Sequence, residues 1–298
     1  IFITSSTIIF LIGLRDDLKN LSPLKKSIGQ IVAISLLLLH SDFVIHSFHG
    51  FLGIQELSIF ISFPVCIFLL LATINAYNLI DGIDGMASII GIIIASTFGL
   101  LFFNLELYYF VAICISIVSI LGAFLRFNFS SNKKMFMGDT GSLLIGLILG
   151  VLSLKLLSLG QETHTSVGIS RKEIPLFVLS TIIIPAFDVV RVIFIRLKNK
   201  KPFFYPDRNH IHHILIDAGL SHKKSSFIAG LINIFIIGIM YFSLRNYGST
   251  FSIYLLLFLV LCMVYVFFVL DKKQKRAKVK VRNLLFLSYH FFTFKKKK

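Results

Sequence analysis

The chain contains no tryptophan, only 3 cysteines and only 14 acidic residues in 298. Cys66, Cys114 and Cys262 each sit alone inside an apolar run. Their isolation excludes a disulfide framework and a cysteine metal knuckle, and leaves small buried hydrophobes as the simplest reading. No interdomain linker, internal repeat or cleavable leader interrupts the chain, so neither a multidomain protein nor a two-fold transporter is suggested. Charged residues make up just 15%, against 56% hydrophobic residues, 32 phenylalanines and a mean hydropathy of +0.87. A soluble domain of this length does not have that composition.

What the chain does have is long apolar runs, near 1–14, 28–46, 58–77, 86–103, 106–126, 140–159, 174–195, 226–244 and 251–270. Most approach the roughly 20 residues that cross a bilayer core of about 30 Å. The expectation is an all-α, polytopic membrane bundle of about nine helices. Residues 1–270 would form a single catalytic transmembrane domain and 271–298 a basic cytoplasmic tail attracted to anionic membrane lipids. The first run is short and no initiator Met precedes Ile1, so helices N-terminal to this sequence are expected in the native protein.

A net charge of +16 raises the question of nucleic acid. The distribution of the basic residues answers it. With the first loop inside, the alternating loops 15–27, 126–134, 196–224 and 272–298 hold 4, 3, 7 and 11 Lys and Arg, and Arg191 makes 26 of 30. That asymmetry is the signature of membrane topology and places these loops in the cytoplasm. A multi-pass protein of a bacterial inner membrane, with no nucleic-acid partner, is the expectation.

Four polar clusters fall on this same side, and polar groups at a membrane edge are costly unless they do something. The first, RDDLKNLSPLKKSIGQ, begins with adjacent Asp16 and Asp17. Neighbouring carboxylates repel unless a cation or proton lies between them; helix capping with Lys19 as partner is the structural alternative. The second, NAYNLIDGIDG, follows about twenty apolar residues and contains Asn75, Asn78, Asp81 and Asp84. Spacings of three put Asn78, Asp81 and Asp84 on one side of a helical turn, and Gly82 and Gly85 admit close backbone approach. The ligand spacing of a calcium loop is missing.

In the third cluster, KKMFMGDTGSL, Asp139 stands at the start of an apolar helix, where free N–H groups and the dipole suit phosphate and a carboxylate can hold Mg²⁺. A plain N-cap is the alternative. The fourth holds Asp188, Arg191, Arg196, Asp207, Arg208, His210, His212 and His213. His210 and His212 lack the i, i+4 spacing of the usual two-histidine zinc site. Histidines among arginines suit a diphosphate instead. Asp188 fits a structural partnership with Arg191 as well as a site role. Acids for Mg²⁺, bases for phosphates and a membrane face together suit phosphoryl transfer from a soluble nucleotide to a lipid.

Four motifs in this order, RDD with LSPLKK and Gln30, NAYNLIDGIDGMA, FMGDTGSL and PDRNHIHH, resemble the polyprenyl-phosphate N-acetylhexosamine-1-phosphate transferase family. The resemblance spans Asp16 to about Ser221, and PDR before HIHH is similar to its WecA and TagO branch. It implies transfer of N-acetylhexosamine-1-phosphate, N-acetylglucosamine first among the sugars, from a UDP-sugar to undecaprenyl phosphate with release of UMP. It implies Mg²⁺, with Mn²⁺ as a substitute, held by Asp139 and Asp81. Asp16, Asp17, Asp81, Asp84, His210 and His212 match catalytic positions. Asn75, Asn78, Asn128, Phe136, Arg196, Arg208 and His213 match substrate-binding ones, with Phe136 near uracil and Arg196 at the donor phosphates. Asn128 stands one residue further upstream of FMGD than in some relatives. A homodimer is compatible with the sequence. The alternatives are a muramoyl-pentapeptide phosphotransferase of MraY type, a transporter using intramembrane acids, and a lipid-binding scaffold.

Overall fold

A computed structural model describes residues 1–160, 168–202 and 210–295, with side chains to residue 273. The first six helices are α1 (Phe2–Leu18), α2 (Pro23–Leu37), α3 (Ile59–Ile80), α4 (Met86–Asn104), α5 (Tyr108–Asn128) and α6 (Gly138–Ser158). Pro23 opens α2 at a position where its missing N–H costs nothing. These helices alternate in direction, so α1, α3 and α5 end where α2, α4 and α6 begin. α6 is the most enclosed of the candidate spans, with 72% of its apolar window buried. It packs against both α1 and α3, which places its N-terminus among the ends of its neighbours.

Beyond α6 come α7 (Ile174–Thr181), α8 (Ile183–Lys198), α9 (Ile211–Asp217) and α10 (His222–Lys295). The apolar run 174–195 is therefore not one helix. α7 and α8 meet at a 68° bend, and Asn233 of α10 donates to the Thr181 carbonyl at the break (3.2 Å), one of the backbone groups a broken helix leaves open. The runs 226–244 and 251–270 both lie in α10, interrupted at Gly248 with φ 74°.

The all-α membrane expectation holds, with two of the expected runs joined in the kinked α10. Among the described residues five helices are long and apolar enough to cross a membrane, or six with the bent pair as one span. At 1.5 Å per residue, the 15 residues of α2 reach only about 22 Å, so the run 28–46 supplies a shorter helix than its hydropathy suggests. Its remainder leads to a small antiparallel hairpin, β1 (Ser47–Phe51) with β2 (Ile54–Glu56), at the opposite end of the bundle. There the buried Arg171 donates to the carbonyls of Leu156 and Gly160 (both 3.1 Å) and covers the C-terminus of α6. Within the basic tail, residues 296–298 and the side chains from 274 lie outside those described.

Lipid is as apolar as leucine, so helices in a membrane associate through close packing and polar contacts rather than hydrophobic burial. Gly13 of α1 shows how tightly that operates. A methyl group on it would stand 2.5 Å from Cα of Thr140 and 2.9 Å from the carbonyl oxygen of Asp139. Only glycine lets α1 approach the first turn of α6 this closely. Gly13→Ala is expected to lower stability by about 1–3 kcal/mol, read as a reduced thermal midpoint in detergent. Gly122→Ala on the open face of α5, where nothing lies within 4 Å, is expected to leave the midpoint unlowered.

Candidate active site

Asp16 and Asp17 stand in the last turn of α1, where carboxylates oppose the helix dipole and need partners from elsewhere. Asp17 finds them at the start of α6. It accepts from the backbone N–H of Asp139 (2.8 Å) and of Thr140 (2.9 Å), and from the Thr140 hydroxyl. The α6 N–H groups expected to face phosphate are thus occupied by Asp17. In this arrangement Asp17 seats the start of α6.

Asp16 is buried, accepts the Leu21 N–H at 2.6 Å, and pairs with Lys26 at 2.9 Å. Lys19 is not its partner. The Lys26 ammonium also lies 3.1 Å from Asp139 and 3.4 Å from the side-chain oxygen of Asn78. Asn78 in turn donates to Asp139 and, at 2.8 Å, to Ser142. Four helices, α1, α2, α3 and α6, thereby bring Asp16, Lys26, Asn78 and Asp139 to one point. Asn75, one turn deeper, donates to Gln30 of α2 (3.0 Å) and to the Leu71 carbonyl (2.8 Å). It ties α2 to α3.

α3 stops at Ile80, with Asp81 as its C-cap and Gly85 at φ 80° before α4. The expected helical alignment of Asn78, Asp81 and Asp84 therefore does not form, because the two acids lie in the turn between the helices. Asp84 pairs with Lys134 (2.7 Å) and His222 (3.2 Å). The Asp81 side chain has no hydrogen-bond partner among the described residues. Burial, reinforced by the carboxylates of Asp139, Asp17 and Asp84, pushes its pKa up to about 7. A partly buried acid short of partners and repelled by three others invites a cation. Asn128 is buried and accepts the Gly85 N–H (2.5 Å) while donating to the Met135 carbonyl (2.7 Å). It braces the turn before α4 and the loop before α6. Phe136 is 75% exposed, with the Lys134 ammonium 5.2 Å from its ring centre, free to receive a planar base.

On α8, Asp188 is almost wholly buried and pairs with His210 (2.8 Å) while accepting the Ile211 N–H (2.7 Å). It therefore docks the start of α9. His210 stacks on His212, ring planes 8° apart, and His212 lies over Gly82, where any side chain would strike its imidazole. Burial, aided by His213, His210 and His222, pushes the His212 pKa down to about 4. With a pKa held that low, His212 is neutral near pH 7. His213 is half-buried beside it, and Arg196 half-buried in the last turn of α8. Asp207 and Arg208 lie outside the described residues.

Residues 1–157, which carry the first three clusters, match the family model "Glycosyl transferase family 4". The chain belongs to this family. As a family 4 glycosyl transferase it is a multi-pass membrane protein, and curated relatives extend the match through the fourth cluster. It is 30% identical to the probable undecaprenyl-phosphate N-acetylglucosaminyl 1-phosphate transferase of Bacillus subtilis, over 86% of this chain and 68% of the relative. It is 30% identical to the decaprenyl-phosphate N-acetylglucosaminephosphotransferase of Mycobacterium leprae, over 80% of this chain and 64% of that one. To the undecaprenyl-phosphate alpha-N-acetylglucosaminyl 1-phosphate transferase of Yersinia pestis it is 25% identical, over 76% and 60%. The family 4 chain thus spans roughly three fifths to two thirds of these relatives' lengths.

Sequence reasoning missed Lys26, Ser142, Lys134 and His222. Lys25 and Lys26 are adjacent, and only the packing of α2 decides that Lys26 turns inward. Asp17→Ala, which removes the acceptor at the start of α6, is expected to cost about 0.5–2 kcal/mol in unfolding experiments. For His212 the folded pKa lies below the ordinary 6.5, so the folded state binds fewer protons. Its contribution to stability is present above pH 6.5 and lost as pH falls towards 4. The stability difference between wild type and His212→Gln is expected to change across that window and to be flat above it.

Proposed function

We propose that this chain carries the site that transfers N-acetylhexosamine-1-phosphate, most simply N-acetylglucosamine-1-phosphate, from a UDP-sugar to undecaprenyl phosphate. The observation that carries this reading is the convergence of Asp16, Lys26, Asn78 and Asp139, from four helices, on the end of the bundle flanked by the basic loops. The names of the relatives favour the same donor and a polyprenyl phosphate acceptor. By charge asymmetry this end faces the cytoplasm of a bacterial inner membrane. The transporter alternative relied on Asp188 as an intramembrane acid, and Asp188 is taken up by His210 and Ile211.

In the reaction, an oxygen of the lipid phosphate bonds to the donor's β-phosphorus. The bridging oxygen departs with UMP, and a lipid-linked sugar diphosphate remains. Two anions must meet, so charge has to be offset before the atoms can approach. Among the described residues no three His, Cys, Asp or Glu side chains gather into a complete metal cage. Mg²⁺ does not require one, since it uses one or two carboxylates and takes its other ligands from phosphates and water. The short-partnered Asp81 beside Asp139 fits that demand, and these two residues would hold the ion. Bound there, Mg²⁺ or Mn²⁺ would neutralise the donor diphosphate.

The chain's own residues supply position. Asp17 and Gly13 fix the first turn of α6, and with it Asp139. Asn78, which also donates to Ser142, holds the Asp139 carboxylate. Asp84 ties Lys134, and so the Phe136 loop, to the turn that bears Asp81. Neutral His212 covers Gly82 and closes the site without adding charge.

The purified full-length protein with Mg²⁺ is expected to release UMP from UDP-N-acetylglucosamine only when polyprenyl phosphate is present. Asp139→Asn should reduce this release by about 100-fold or more, the scale of removing one preorganised charge from a reacting site. Unchanged lipid-dependent release by Asp139→Asn would sink the site assignment. Running several UDP-sugars in the same assay separates the N-acetylglucosamine and muramoyl-pentapeptide readings.

A further inference from the structure

Lys26 is not used by the reaction as described, yet it occupies the centre of the acidic cluster. Its ammonium lies 2.9 Å from Asp16, 3.1 Å from Asp139 and 3.4 Å from the side-chain oxygen of Asn78. An ammonium has three N–H donors and no more, and these three acceptors account for all of them. Its side chain is only 14% exposed, so water does little to loosen the arrangement. The Asp139 oxygen that Lys26 contacts, Oδ1, is also the oxygen to which Asn78 donates. A divalent cation ligated by that oxygen would stand within a few ångströms of the ammonium, and two cations that close repel strongly at a half-buried site.

We propose that Lys26 is a resident counter-ion of the acidic cluster, which a divalent cation displaces when it binds. The protein thereby keeps Asp16 and Asp139 neutralised and in place while no ion is bound. Displacement frees the lysine's donors at the moment the cation arrives, and its four-carbon stem lets it turn to an anion without movement of α2. Because linkage is reciprocal, Lys26 weakens cation binding by the same factor by which the cation loosens Lys26. The inference rests on the transferase reading only through the Asp139 cation site.

The test is Mn²⁺ binding to the purified full-length protein in nanodiscs, followed by the EPR signal of free Mn²⁺, in wild type, Lys26→Met and Asp139→Asn. Lys26→Met is expected to tighten Mn²⁺ binding about tenfold, within the usual range of coupling between sites, and Asp139→Asn to abolish it. An unchanged or weakened affinity in Lys26→Met, with Asp139-dependent binding intact, overturns the counter-ion proposal and leaves the transferase reading standing. Absence of Asp139-dependent binding in wild type overturns both the proposal and the metal assignment. Amine labelling of the wild type supplies a second measurement that requires no variant to fold. Saturating Mg²⁺ should raise modification of Lys26 several-fold relative to the exposed Lys25, and a constant or falling ratio overturns the proposal.

Discussion

The site depends on how α6 is held. Its N-terminus sits on Asp17 from the end of α1, and its C-terminus is covered by the guanidinium of Arg171. A negative charge at the first turn and a positive one at the last both favour the helix macrodipole. The same contact answers the problem of α1, whose final turn carries two acids against its own dipole. One helix's misplaced charge is thus the other's cap. Asp139 is the second residue of α6, so whatever fixes that turn fixes Asp139 as well. Gly13 belongs to the same device, because without its missing side chain α1 could not come near enough for Asp17 to reach.

Around this contact the electrostatics are divided with some economy. Asp17 is spent on backbone, Asp84 on Lys134 and His222, Asp188 on His210, and Asp16 on Lys26. Among the described residues the Asp81 side chain is left without a hydrogen-bond partner, next to Asp139, which pairs with the shared Lys26. Unequal satisfaction of similar acids is what separates supports from ligands here. Burial does the corresponding sorting of the histidines: His210 is anchored by a carboxylate, while His212 is driven to neutrality. In the proposed reaction, charge for a diphosphate would come from the lysines and arginines of the loops and from an ion at Asp139 and Asp81.

Much of this was legible in the chain. Apolar runs and the placement of 26 of 30 basic residues announce a helical membrane protein with one polar end. The spacing of DD, NxxDGxDG, MGD and HIHH marks where the site residues lie. The run 174–195 misled, because hydropathy averages over a 68° bend that depends on what surrounds Thr181 and Ile182. The turn at Gly82 and Gly85 misled in a similar way. Intervals of three read as helix, whereas the chain leaves the helix at Ile80, and only Asp84 of the two acids finds a side-chain partner among the described residues.

Sequence alone determined the class of the protein, the end of the bundle that matters and the identity of nearly every polar residue there, because hydropathy and charge asymmetry are local and additive. Tertiary structure decided which of those residues are supports and which remain able to take a ligand. Asp17 and Asp139 are separated by 122 positions, and Asp16 and Asp17 are indistinguishable by composition. A carboxylate's role is set by the donors that reach it, and those donors come from helices that only packing brings together.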